Sequence, residues 1–247
     1  QIRLAEKSES LARVSGAVAH HYNNLLSVVI GNLELTAETR PDQLTDDTLE
    51  QLGNALSAAR RASEIGSLML SYLGESPIMK TPLDIRSICR KVAASFSQQV
   101  REGVILSCHI PEQKLVAAVD EERIRHVIQG ILHNAEESYS TGGGIITLEV
   151  SHLPGTAIPD HGRFPKGFEP GSHNYACITM SDRGSGMNPE SLDTIFEPFY
   201  STKFVGRGLG LAVVLGIVRS HQGCITVDTQ LEAGSTFRVW LPIEESR

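Results

Sequence analysis

"YACITMSDRGSGMNPE", residues 175–190, decides how the second half of this chain folds. Its first seven residues have the apolar, β-branched character of a buried strand, and the run breaks at Asp182 into a turn carrying Gly184 and Gly186. Glycines at alternate positions let a backbone approach a ligand closely. A carboxylate at a strand end can accept hydrogen bonds from an exocyclic amine such as that of adenine. The same glycines also fit a turn kept tight for steric reasons alone.

Two further clusters flank this one. Upstream, "ILHNAEES" (131–138) sets Asn134 and Glu137 on a helix that begins near "EERIRHV". An amide oxygen in that setting suits a hard cation such as Mg²⁺, although an exposed helical asparagine needs no such role. Downstream, "GRGLGLAVVLGIVRSHQG" (206–223) leads through Gly206, Gly208 and Gly210 into an apolar helix. Its first amides lack intrahelical partners and sit at the dipole end that favours anions. The spacing fits neither the GxxxxGK[ST] phosphate loop nor the GxGxxG dinucleotide turn.

The remaining pattern places these clusters in a mixed helix-and-strand domain. "LDIRSICRKVAASFSQQV" reads as a helix, and "VILSCHI", "KLVAAVD", "GGIITLEV", "CITVDTQ" and "STFRVWLP" read as strands. Residues 151–174, rich in Pro, Gly and His, read as a loop between strands. The expectation is an α+β sandwich, a sheet covered by helices on one face. "GESPIMKTPLD" (74–84) separates it from an N-terminal segment of different character. There, Leu4, Leu11, Val14, Val18, Leu25, Val28 and Leu35 recur at helical spacing, and a second run carries Leu49, Leu52, Leu56, Ile65, Leu68 and Tyr72. Two such helices cannot bury their stripes alone. They predict a two-helix hairpin that dimerises into a four-helix bundle. The expected domains are 1–77 and 78–247.

Composition sets the outer bounds. With 40% hydrophobic and 21% charged residues the chain reads as globular, and its net charge of -7 argues against a nucleic-acid binder. No apolar run approaches the roughly 18 residues of a membrane span, so no direct membrane contact is expected. Cys89, Cys108, Cys177 and Cys224 form no C-x-x-C pair and read as small buried hydrophobes in a reducing compartment. The opening "QIRLAEKSESLARVSG" starts in mid-pattern, as a fragment of something longer would.

Taken in order, the clusters resemble the ATP-binding domain of sensor histidine kinases. "ILHNAEES" is similar to the asparagine box, "SDRGSGM" to the first glycine box and "IFEPFYSTK" to the phenylalanine box. "GRGLGL" is similar to the second glycine box and "EAGSTFRVWLP" to the terminal strand. "SGAVAHHYNNLL" (15–26) resembles the phosphoacceptor helix of the dimerisation domain. The resemblance implies an ATP-dependent protein histidine kinase that works as a homodimer. His20 is then the phosphoacceptor, His21 stands where the family has a carboxylate, and Asn24 falls where a dephosphorylating Asn or Thr stands.

The same resemblance assigns the nucleotide site. Asp182, with Gly184 and Gly186, would receive adenine, and Asn134 would hold Mg²⁺ beside Glu137. Gly206, Arg207, Gly208, Leu209 and Gly210 would receive the phosphates, with Thr236 on the terminal strand. Residues 197–207, including Lys203, would form a lid anchored by Phe196 and Phe199. The phosphoryl group would pass to an aspartate of a response-regulator receiver domain elsewhere, in the cytoplasm. Water-using ATPases of the same fold carry a glutamate four residues before the box asparagine, where this chain has Gly130. A phosphotransfer protein or pseudokinase with a degenerate site is the alternative reading.

Overall fold

The computed structural model describes residues 26–34, 36, 48, 51–56, 59, 79–139, 143–197, 200 and 210–243. The chain divides into two units, Gln1–Ser76 and Pro77–Arg247. In the first, every described residue is helical. Asn32 Nδ2 donates to the Val28 carbonyl at 2.8 Å and Thr36 Oγ1 to that of Asn32 at 2.8 Å, so these polar side chains are satisfied by their own helix. Val28, a member of the apolar stripe, is 63% exposed in the single chain. Most of the expected hairpin lies outside the described residues, as do His20, His21 and Asn24.

The second unit opens with β1 (Thr81–Asp84) and α1 (Ile85–Gln99), followed by β2 (Val104–His109) and β3 (Val116–Val119). Next come α2 (Glu121–Glu137), β4 (Gly144–Pro154), β5 (Arg163–Phe164) and β6 (Asn174–Ser181). It ends with α3 (Gly210–Ser220), β7 (Cys224–Gln230) and β8 (Gly234–Pro242), and 3₁₀ turns occupy Gly155–Ala157 and Pro189–Asp193. Six strands form one sheet in the order β2-β4-β6-β8-β7-β5, parallel between β2 and β4 and antiparallel elsewhere.

Strand alternation builds the core. The register aligns Leu148, Met180, Phe237 and Val227 in one row, and Val150, Ile178, Val239, Ile225 and Phe164 in the next. All nine are buried. They face the apolar stripes of the helices, which include Ile88, Val92 and Phe96 of α1, Ile124, Ile128 and Ile131 of α2, and Val213, Val214 and Ile217 of α3. A fully buried side chain of this size contributes about 1.5–3 kcal/mol.

Three features depart from the sequence reading. Residues 151–174 are not a plain loop: β4 pairs with β6 as far as Pro154 and Asn174, and β5 adds an edge strand against β7. The excursion between them covers one end of the sheet's other face, where Ile158 joins Tyr175, Cys177, Cys224 and Trp240 in a second cluster. Its apolar residues are scattered among prolines and glycines, which hides their periodicity. The second departure is "KLVAAVD", whose strand pairs only with β1 in a separate two-stranded ribbon. The third is Cys108, which is exposed, whereas Cys89, Cys177 and Cys224 are buried. Burial pushes the Cys89 thiol up to about 12 and the Cys177 thiol to about 11. Among the described residues no helix is long and apolar enough to cross a membrane.

Candidate nucleotide site

Asp182 follows directly on the last residue of β6 and is 8% exposed. Its backbone N–H donates to the Ser235 carbonyl of β8 at 2.9 Å. Its Oδ1 accepts from Ser138 Oγ at 2.9 Å and from the Gly184 N–H at 2.8 Å. A buried carboxylate needs such donors, and here they fix its orientation. Ser138 is the C-cap of α2, so the helix that carries Asn134 also holds Asp182.

The glycines of the turn answer to close approaches. A Cβ on Gly184 would stand 1.9 Å from Ser138 Oγ, so a side chain there would push Ser138 off the carboxylate. Gly186 has φ +58°, and a Cβ on it would meet the Gln230 carbonyl oxygen at 1.9 Å. Backbone bonds tie the turn down on both sides. The Ser185 N–H donates to the Ser138 carbonyl at 3.1 Å, and the Glu232 N–H donates to that of Ser185 at 2.7 Å. The Arg183 N–H donates to Tyr139 Oη at 2.9 Å, and that hydroxyl donates to the Ile145 carbonyl at 2.8 Å. The turn is therefore held in place by the protein's own hydrogen bonds.

Asn134 lies in the last turn of α2, half-exposed, and its side chain makes no hydrogen bond among the described residues. Glu137 ends the helix, exposed to solvent. Gly210 is the first residue of α3 and is exposed, with nothing within 4 Å of a Cβ built on it. Two approaches set the course of α2 against α3. The Asp120 N–H at the start of α2 meets His221 at the end of α3 (3.0 Å), and a Cβ on Gly130 would lie 3.3 Å from Val214 Cγ2. The pair therefore runs antiparallel, and Asn134 and Gly210 come to the same end. Gly130 packs on α3, and the position holds no acidic group.

Thr236 is not brought to Asp182. Alternation along β8 points it to the sheet's other face, where its Oγ1 donates to Ser181 Oγ at 3.0 Å. Its neighbour Ser235 is on the Asp182 side, 7% exposed, with its hydroxyl 2.9 Å from Thr229 Oγ1. Sequence reasoning missed Ser138, Tyr139 and Ser235, whose partners become apparent only in three dimensions. Phe196 is buried against Phe164, ring centroids 4.7 Å apart. Phe199, Lys203, Gly206, Arg207, Gly208 and Leu209 lie outside the described residues.

Residues 119–245 match the family described as histidine kinase-, DNA gyrase B- and HSP90-like ATPase, and the chain belongs to it. The expectation drawn from the boxes is met. The chain is 26% identical over 253 residues to the sensor kinase CckA of Brucella abortus (strain 2308), covering 100% of this chain and 26% of that protein. It is 27% identical over 249 residues to the sensor histidine kinase ZraS of Escherichia coli (strain K12), covering 100% of this chain and 49% of that protein. It thus spans between a quarter and a half of the length of these two relatives. The fold is similar to that of full-length ShkA crystallised in complex with AMPPNP, with a TM-score of 0.70, 22% identity, and coverage of 95% of this chain and 46% of that one.

Proposed function

We propose that the chain is the autokinase core of a two-component sensor histidine kinase. In this reading it binds ATP with Mg²⁺, phosphorylates His20 and passes the phosphoryl group to an aspartate of a response-regulator receiver domain. Residues 1–77 are the dimerisation and phosphoacceptor domain, residues 78–247 are the ATP-binding domain, and the core works as a homodimer in the cytoplasm. The observation that carries the reading is the internally hydrogen-bonded turn around Asp182, a buried carboxylate held by Ser138 and Gly184. The names of the relatives and the nucleotide-bound state of the ShkA structure support it.

The roles follow from chemistry. Asp182 accepts from the exocyclic amine of adenine, and Gly184 and Gly186 let the base lie against backbone. Asn134 would supply one oxygen ligand to Mg²⁺. When bound, the ion would supply charge neutralisation on the phosphates. The segment 206–210 and the first amides of α3 receive the phosphate tail. A ring nitrogen of neutral His20 attacks the γ-phosphorus. The N–P bond forms, the bond to the bridging oxygen breaks, ADP leaves with the electron pair, and the ring proton is lost to solvent. A reference pKa of about 6.5 leaves most of the imidazole neutral at pH 7. Asn24 serves the reverse traffic by orienting water against a phosphorylated receiver.

Gly130 favours transfer to a side chain over transfer to water, because the position one turn before Asn134 holds no general base and packs on Val214. The test is incubation of the chain with Mg²⁺ and γ-labelled ATP. The kinase reading expects label on the protein that is lost in acid and kept in alkali. Release of inorganic phosphate without such label would make the chain a hydrolase. Nucleotide binding with neither product would make it a pseudokinase.

A further inference from the structure

His221 is a buried ionisable group that the reaction does not use. It lies one residue beyond α3, 2% exposed. Its Nδ1 is 2.8 Å from the Ile217 carbonyl, which can only accept, so Nδ1 carries the hydrogen. Its Nε2 is 3.0 Å from the Asp120 backbone N–H, which can only donate, so Nε2 is the bare lone pair. The two partners fix one neutral tautomer. Asp120 is also the N-cap of α2, its side chain accepting from the Arg123 N–H at 3.2 Å. One imidazole thus joins the end of α3 to the beginning of α2.

We propose that His221 is a positioning residue: it locks the helix carrying Asn134 to the helix that begins at Gly210, and so couples nucleotide affinity to its own protonation. The inference rests on the nucleotide-site reading above. With α2 and α3 antiparallel, the two site-bearing ends are opposite the end that His221 ties. Slippage at the tie is carried along two rigid helices packed at Gly130 and Val214 to Asn134 and Gly210. A proton on Nε2 would set a donor against the Asp120 N–H at 3.0 Å, which breaks the tie.

The surroundings oppose that proton. Burial acts most strongly, Lys80 and Arg123 add to it, and the Ile217 carbonyl and Asp120 act the other way; the net effect lowers the pKa from the ordinary 6.5. The neutral, tied form is therefore complete above pH 6.5. It is lost only as pH falls below that value, where the unfolded or untied chain binds the proton first. Leaving the part-buried Asp120 amide without its acceptor corresponds to roughly tenfold in affinity.

The experiment titrates a fluorescent ATP analogue into the 247-residue chain between about pH 5 and 8. Wild type is compared with His221→Gln, which retains an acceptor toward Asp120 but does not titrate, and with His221→Phe, which has neither function. Ring ¹⁵N spectra of the wild type report the tautomer. Wild-type affinity should fall roughly tenfold further than that of His221→Gln across the acid half of the range. Protonation of the analogue is common to both chains and cancels. His221→Phe should bind weakly at every pH, and the ring should be protonated at Nδ1 at pH 8. Superimposable profiles for wild type and His221→Gln, or an Nε2–H tautomer, would overturn the proposal while the nucleotide site stands. Absence of binding by wild type at every pH would remove the site itself, and the coupling with it.

Discussion

Asp182→Asn separates the adenine-binding role proposed for this side chain from its structural role. The asparagine oxygen can take the place of Oδ1 and keep both internal bonds, from Ser138 Oγ at 2.9 Å and from the Gly184 N–H at 2.8 Å. The backbone bond to Ser235 is untouched. The charge is lost, however, and the second oxygen becomes an amide donor where the adenine amine is also a donor. A hydrogen bond involving a charged group is worth about 1.5–3 kcal/mol, so ATP affinity should drop by about 10- to 150-fold. The melting temperature should move by no more than about 2 °C. Asp182→Ala is the counterpart. It strands the part-buried Gly184 N–H, while the Ser138 hydroxyl keeps the Ala135 carbonyl at 2.7 Å, so the loss is about 1–3 kcal/mol for the one donor and lowers the melting temperature as well. Calorimetric titration with ATP and thermal unfolding read the two effects separately. Wild-type affinity in Asp182→Asn would show that the carboxylate does not receive adenine, and a loss of stability as large as that of Asp182→Ala would show that its charge holds the turn.

Asn134→Ala should weaken ATP binding when Mg²⁺ is present and change it little in chelator, as paired titrations would show; equal loss in both would mean that the amide serves the nucleotide directly. Trp240→Phe removes the 3.0 Å bond from Nε1 to Thr226 Oγ1 in the cluster on the sheet's other face. It should cost about 1–3 kcal/mol in denaturant unfolding and leave nucleotide affinity within twofold. Asn24→Ala should retain autophosphorylation and lose the ability to dephosphorylate a receiver, measured as decay of receiver phosphate; parallel loss of both would point to a structural role instead.

What was legible in the sequence was what repeats or what must be glycine. The rows through Ile178 and Met180 follow from alternation, and the stripes of α1, α2 and α3 follow from helical spacing. Gly184 and Gly186 stood out because no other residue fits against Ser138 and Gln230. The hidden parts depend on register or on contacts distant in sequence. Whether Ser235 or Thr236 shares a face with Asp182 depends on the phase of β8 against β6, and a one-residue shift exchanges them. Ser138 holds Asp182 across 44 positions, and His221 meets Asp120 across 101. β5 is two residues long, too short to show a period.

In the proposed reaction the phosphoryl group goes from ATP to His20. The most direct measurement is acid-labile labelling from γ-labelled ATP in the wild type, His20→Gln and His21→Gln, with the labelled residue located by mass spectrometry. No label is expected in His20→Gln, residual label in His21→Gln, and phosphate on His20 alone. Label that survives in His20→Gln and disappears in His21→Gln would contradict transfer to His20.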